Sequence, residues 1–154
     1  MTDRLEAVIR VHIAQLRREA AKAASSTGVK SMTDVTGFGL LGHAHEMAHL
    51  GNVDFRLYVE SMPWLPGAIA YGKAGAFPGG MSNNQNYFAP WVRFDKDIPI
   101  LMQDLLWTPE TSGGLLIAIP PAAIARFHSI FGGAKIIGEV LPGDGHIDVV
   151  NDSI

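Results

Sequence analysis

The sequence predicts an α+β domain, a single sheet flanked by helices. Three observations carry this. Leu40, Ala44, Met47 and Ala48 recur at helical spacing, while Val53, Phe55, Leu57 and Val59 alternate at the two-residue period of a strand. Leu115 to Ile119 is a continuous apolar run of strand length, read as a buried strand. Glycine and proline punctuate the chain between such segments, and no internal repeat is visible. A length of 154 residues suits one domain, and 47% apolar residues are enough to build a core.

Taken in order, the elements are as follows. Asp3 with Glu6 has the form of a capping box. Leu5, Val8, Ile9, His12 and Leu16 then repeat at helical spacing, which predicts a first helix ended by Ser25-Ser26-Thr27-Gly28. Residues 30–35 form a short strand entering a glycine turn. A second helix runs from about Leu40 to Leu50 and stops at Gly51-Asn52. The strand from Val53 to Val59 follows. Residues 63–80 hold a short helix at most, and 81–90 read as a polar, Asn-rich loop. Ile98 to Leu106 is helical. After the 115–119 strand, Ala122 to Phe131 reads as a helix whose Pro120-Pro121 start suits the first-turn tolerance for proline. Ala134 to Leu141 and His146 to Val150 read as two strands, joined as a hairpin by Pro142-Gly143-Asp144-Gly145.

Composition excludes several functions. No cysteine is present, so disulfides, thiolate zinc sites and a cysteine nucleophile are ruled out. A net charge of −3 with no basic run argues against nucleic acid. The longest apolar stretch, Leu115 to Ala125, is broken by two prolines and is too short to span a bilayer. The opening MTDRLEAV lacks the basic region and apolar run of a signal peptide, so a cytoplasmic location away from membranes is expected.

Two motifs share residues 33–49. The tail, His45-Glu46-Met47-Ala48-His49, has the H-E-x-x-H spacing that puts two zinc ligands and a general base on one helix. A zinc peptidase built on His45, Glu46 and His49 is therefore an alternative. Against it, no third histidine falls in the extended pattern, and the buried stripe of this helix leaves all three residues largely on the polar side. The head is the stronger candidate. Asp34 ends a strand and is followed by Thr36-Gly37-Phe38-Gly39, whose glycines permit positive φ and let backbone amides converge at a helix N-terminus. An acid beside such a turn can hold Mg²⁺ while phosphate oxygens complete the shell. The plain structural alternative is a strand-to-helix turn with Asp34 as a cap.

Two further glycine motifs accompany it, Gly75-Ala76-Phe77-Pro78-Gly79-Gly80 and Pro109-Glu110-Thr111-Ser112-Gly113-Gly114-Leu115-Leu116. A turn of the second kind is favoured as a tight entry into the strand, with Ser112 bonding local backbone, over direct ligand contact. The aromatic group Tyr87, Phe88, Trp91 and Phe94 reads as local packing, and His128 as a core-edge histidine.

The order of TDVTGFGLLGH, GAFPGG and PETSGGLL, spanning most of the chain from Ser31 onward, resembles the C-terminal half of the selenophosphate synthetase (selenide, water dikinase) family. That family belongs to the aminoimidazole ribonucleotide synthetase superfamily. The resemblance implies a phosphotransferase that turns ATP, selenide and water into selenophosphate, AMP and phosphate, acting as a homodimer. It implies that Asp34 is one of several Mg²⁺-binding aspartates, with the backbone at Thr36, Gly37 and Gly39 near the ATP phosphates. It also implies that the catalytic cysteine or selenocysteine, its partner lysine and the glycine-rich ATP loops lie in an N-terminal half absent from this chain. This domain is then expected to carry no catalytic residue and to be inactive alone. Three positions depart from the family pattern: Thr108 stands where an acid precedes the P-x-T-S-G-G, and Met81 and Asn83 replace a threonine and an arginine. These departures keep open a second alternative, a superfamily domain used for binding or assembly without catalysis.

Overall fold

The structure, a computed structural model, describes residues 6–11, 17–29 and 31–152. Its strands are β1 (Glu6–Val11), β2 (Ser31–Asp34), β3 (Val53–Tyr58), β4 (Val92–Phe94), β5 (Leu115–Ile119), β6 (Ala134–Pro142) and β7 (Ile147–Val150). Its helices are α1 (Arg17–Ser26), α2 (Gly39–Gly51), α3 (Ala68–Lys73), α4 (Gly80–Phe88), α5 (Ile100–Trp107) and α6 (Ile124–Ile130). The strands form one sheet in the order β2-β5-β1-β6-β3-β7-β4. The β3–β7 and β7–β4 pairs are parallel and the remaining pairs antiparallel. The predicted class, α+β with a single sheet flanked by helices, is what is found.

Two apolar clusters cover the two faces of the sheet. The larger joins Leu40, Leu41 and Ala44 of α2 to Leu106 and Trp107 of α5, and to Phe55, Leu57, Ile137 and Val149 from the sheet. The smaller joins Ala20, Ala23 and Ala24 of α1 to Phe127 of α6. Strand β5 serves both: Leu116 and Ala118 face the first cluster, and Leu115, Ile117 and Ile119 the second. A strand covered on both sides has no polar face to show, which is why this segment reads as an unbroken apolar run. Among the described residues, no helix is long and apolar enough to cross a membrane.

Helix α2 is held by packing rather than by its cap. Its N-cap Phe38 makes no side-chain capping bond, which forgoes a contribution of about 1 kcal/mol. Leu40 and Leu41 are almost completely buried, each contributing on the order of 1.5–3 kcal/mol. The helix ends where the sequence places its stop: Asn52 takes the left-handed conformation at φ 50° and its N–H returns to the carbonyls of Ala48 and His49. Glycine at 28, with φ 79°, likewise closes α1.

Four expectations are corrected. The helix predicted to begin at Asp3 does not include residues 6–11, which form β1 between β5 and β6, with Val8 opposite both Ala118 and Gly138. Pairing on both edges, interrupted on the β6 side only by a register shift between Val8 and Ile9, outweighs the helical spacing in this β-branched segment; Asp3, Leu5, His12 and Leu16 lie outside the described residues. Strands β6 and β7 are not a hairpin, because β3 lies between them. The connecting loop instead closes over the start of β3, where Asp54 Oδ1 accepts hydrogen bonds from the N–H groups of Asp144, Gly145 and His146 at 3.0, 3.0 and 2.7 Å. The Asn-rich segment after Gly80 is α4, whose inward positions Met81, Asn84 and Phe88 keep helical spacing. Finally, the proline-led helix opens with a 3₁₀ turn at Pro121–Ala123, so that α6 begins only at Ile124. The short edge strand β4, tied to β7 by Arg93 Nε donating to Asp148 Oδ1 at 2.6 Å, is not anticipated by the sequence.

Candidate phosphate and metal loop

The three glycine motifs meet at one seam. Strand β2 pairs with β5, placing Asp34 opposite Leu115. The chain leaving β2 stays tied to the P-E-T-S-G-G turn: Val35 N–H donates to Gly114 O, Gly113 N–H to Val35 O, and Glu110 N–H to Thr36 O, each at 2.9 Å. A Cβ on Gly113 would lie 2.9 Å from Val35 Cγ1 and closer still to the Glu110 carboxylate. Within the turn, Gly114 has φ 89°. Both glycines are thus used to bring the turn against residues 35–36 on the way into β5.

The third motif enters through α4. Asn84, 7% exposed, donates from Nδ2 to Gly37 O and to Trp107 O, both at 3.0 Å. One amide group therefore satisfies two carbonyls, one in the loop and one at the end of α5. Gly80 packs so closely on Pro109 that a Cβ would come within 2.7 Å of its ring.

Within the loop the two glycines differ. Gly39 has φ 67°, and a Cβ there would meet Thr108 O at 2.8 Å. Gly37 does not share the positive φ expected of it, and a Cβ at Gly37 meets open space. Asp34, at the end of the edge strand, and Gly37 are both exposed, and Thr36 is half-buried. Thr36 Oγ1 lies 3.1 Å from Nε2 of His43, whose Nδ1 lies 3.1 Å from Glu46 Oε2. Beside the loop a groove of about 1150 Å³ runs between α2 and α4, lined by Thr33, Phe38, His45, Glu46, Asn84 and Trp91 among others.

The H-E-x-x-H residues take up other tasks. His45 is buried, contrary to expectation, with Nδ1 2.8 Å from Gly145 O and its ring stacked on Trp91 at 4.6 Å. The partners lie 100 and 46 residues away, beyond the reach of a helical pattern. Glu46 faces His43 rather than His45, and Glu46 and His49 are exposed as expected. Among the described residues, the group of three side chains spaced to hold a metal is Asp54, Asp144 and His146, and there Asp54 already closes the β6–β7 loop. A zinc site would make His45 and His49 equally important; the structure does not. His45→Ala is expected to destabilise the fold by about 1–3 kcal/mol, through the lost ring packing and an unmet Gly145 carbonyl. His49→Ala should stay within about 0.5 kcal/mol. Urea unfolding of the two variants, with and without added zinc, checks this; equal losses that zinc modulates would restore the peptidase alternative.

The remaining expectations can be placed as well. The aromatic residues pack on protein rather than form a free platform, but only in part locally: Tyr87 is edge-on to Phe88 at 4.8 Å, while Trp91 stacks on His45 and Phe94 is edge-on to Trp107 at 6.0 Å. His128 is half-buried beside Phe127. Each departure has a local task except one: Thr108 Oγ1 donates to Asp104 O at the end of α5, Met81 packs on the main core, and exposed Asn83 has no role the structure explains.

The fold is shared with solved structures of low sequence identity. A Thermotoga maritima PurL complexed with ATP superposes with a TM-score of 0.59 over 100% of this chain and 25% of its own, at 12% identity. The HypE-HypF complex gives 0.55 over 98% of this chain and 52% of that chain, at 14% identity. Residues 7–151 match the family described as AIR synthase related protein, C-terminal domain, and the chain belongs to that family. More particularly, it is 42% identical to the selenide, water dikinase of Escherichia coli (strain K12) over 144 residues, 91% of this chain and 39% of that protein. The enzyme of the same description from Paraburkholderia xenovorans is 36% identical over 141 residues, 88% of this chain and 40% of its own length. The chain thus spans about two fifths of the curated relatives it matches.

Proposed function

We propose that this domain is the C-terminal part of a selenide, water dikinase, an ATP-dependent phosphotransferase that makes selenophosphate, AMP and phosphate from ATP, selenide and water. The observation that carries this is the seam at which the P-E-T-S-G-G turn bonds residues 35 and 36 and Asn84 of α4 bonds Gly37, in a chain 36–42% identical to enzymes of that description. In this reading Asp34 is one Mg²⁺ ligand, and the backbone at Thr36, Gly37 and Gly39 forms part of the wall beside the ATP phosphates. The donor set suits a hard cation: an exposed carboxylate, a hydroxyl two residues on, and no sulfur or free imidazole at the loop. Bound there, Mg²⁺ would neutralise charge spreading over the transferring phosphoryl group. Gly37, open on its Cβ side, leaves room for a phosphate chain to approach the backbone. The nucleophile, its lysine and most metal ligands would come from the half found in the longer relatives, and the working protein would be a cytoplasmic homodimer using ATP and selenide.

The second reading, a family domain that binds or assembles without catalysis, draws on Thr108, Met81 and Asn83, since the first two are absorbed into the fold rather than turned toward a ligand. Calorimetric titration with Mg²⁺-ATP examines the isolated domain. Because Mg²⁺ keeps most of its water and is held through more than one carboxylate or through substrate phosphates, binding should be millimolar or weaker, about −4 kcal/mol at most, with no hydrolysis. Micromolar binding by these 154 residues would mean that the metal site is placed wrongly. Selenophosphate formation by a protein joining both halves separates the two readings.

A further inference from the structure

His43 is a buried polar side chain to which the proposed function gives no task. It lies on α2 at 8% exposure, with the Phe38 ring 5.3 Å away, and bridges Glu46 Oε2 and Thr36 Oγ1 through its two nitrogens, each at 3.1 Å. An ionised carboxylate only accepts hydrogen bonds. Facing Glu46, Nδ1 is assigned the donor role, and on a ring with a single N–H Nε2 is left to accept. The Thr36 hydroxyl has one hydrogen, and Nε2 takes it. Its oxygen is then left with lone pairs and nothing to donate, which makes it a ligand for a cation and a poor partner for a phosphate oxygen.

The backbone fixes the same residue from the other side. Thr36 O accepts from Gly39 N–H at 3.0 Å and from Glu110 N–H at 2.9 Å, so neither end of Thr36 is free to swing. A single carboxylate is a poor Mg²⁺ site, and a hydroxyl two residues along the same loop supplies the kind of oxygen it lacks. Partners that orient a metal ligand through its other hydrogen-bonding group are a general feature of such sites.

We propose that His43, oriented by Glu46, is a positioning residue that fixes Thr36 Oγ1 as a second oxygen ligand beside Asp34 for a divalent hard cation. This rests on the reading of Asp34 as a cation ligand. The test therefore separates the two and needs no turnover.

The chain, labelled with ¹⁵N, is examined by NMR. The ring nitrogens of His43 should show Nδ1 protonated and Nε2 bare. Mn²⁺ is then titrated as the probe, and signals of residues 34–39 are followed separately from those around Asp54, Asp144 and His146, which also offer ligands. Broadening should centre on Asp34 and Thr36. Thr36→Val and His43→Phe should each weaken that binding about tenfold. Thr36→Ser, which keeps the hydroxyl, and His43→Gln, whose amide oxygen can still accept its hydrogen, should hold binding within about threefold of the parent. Thr36→Val changes no buried ring, so the result does not depend on whether His43→Phe folds. A proton on Nε2 instead of Nδ1 overturns the proposal. So does Mn²⁺ centred on Asp34 with an affinity that Thr36→Val leaves unchanged, and that outcome leaves the Asp34 reading standing. No broadening near residue 34, with Asp34→Asn without effect, overturns both.

Discussion

Asp34→Asn, in a protein that joins this domain to the half carried by its longer relatives, is expected to lower ATP turnover about a hundredfold or more, roughly 3 kcal/mol in barrier height. Asn keeps the shape of the side chain and loses its charge. In the proposed site that charge holds a cation against a polyphosphate in which negative charge spreads as the γ-phosphoryl group departs. The amide oxygen left behind is a neutral ligand with little hold on a hydrated Mg²⁺. Asp34→Ala should be at least as damaging. Neither change should disturb the fold much, because Asp34 is exposed at the end of an edge strand whose ladder to β5 is made by backbone groups. A stability change below about 1 kcal/mol is expected. Steady-state ATP turnover alongside urea unfolding checks both halves of the statement. Full turnover by the Asn variant would remove Asp34 from the metal site.

How far the sequence reaches depends on how local the physics is. Helix α2 was legible because its stripe of Leu40, Ala44, Met47 and Ala48 repeats within one element, and its stop at Asn52 is a local backbone event. Strand β5 was legible because burial on both faces removes every polar residue from five positions. Strand β1 was not, since six residues with two adjacent β-branched side chains satisfy either period, and only the edges of β5 and β6 decide between them. The false hairpin has a similar origin. Pro142-Gly143-Asp144-Gly145 has good turn chemistry, but Asp54, some 90 residues earlier, is the residue that organises it.

The loop of residues 34–39 shows the same division. An acid at a strand end followed by a glycine turn and a helix can be read from six letters. That His43 reaches back to Thr36 depends on the angle at which α2 leaves the loop, and that Asn84 joins Gly37 to Trp107 depends on where α4 packs. The spacing of Met81, Asn84 and Phe88 was a usable signal for α4, masked by the weak helix propensity of asparagine. His45 is the sharpest miss. Helical periodicity put it on the polar face, and Trp91 and the Gly145 carbonyl then covered that face.

Gly39→Ala should be the most destabilising single change in the loop, by about 3 kcal/mol or more, and Gly37→Ala the instructive control. At Gly39 two costs add. A left-handed φ of 67° costs an L-residue roughly 1–2 kcal/mol. The new methyl would also sit 2.8 Å from Thr108 O and 3.1 Å from Trp107 O, both backbone atoms at the end of α5. A flexible side chain could give way, but these carbonyls cannot retreat cheaply. Trp107 O is held by Asn84, and Trp107 itself is 1% exposed in the main core. Relief must come by pushing α2 off α5, at the expense of the tightly packed surface around Leu40 and Leu106. At Gly37 the φ is not positive and the added methyl meets open space, so folding should lose less than about 1 kcal/mol. The two variants thus separate glycine used for the fold from glycine used for access. In the joined protein Gly37→Ala should weaken nucleotide binding while its unfolding midpoint stays near that of the parent, because the methyl fills the side left open to a phosphate. Thermal or urea unfolding of both variants, with Mg²⁺-ATP titration of the Gly37 variant, makes the comparison. Equal destabilisation by the two substitutions would contradict the assignment of Gly39 to the contact between α2 and α5.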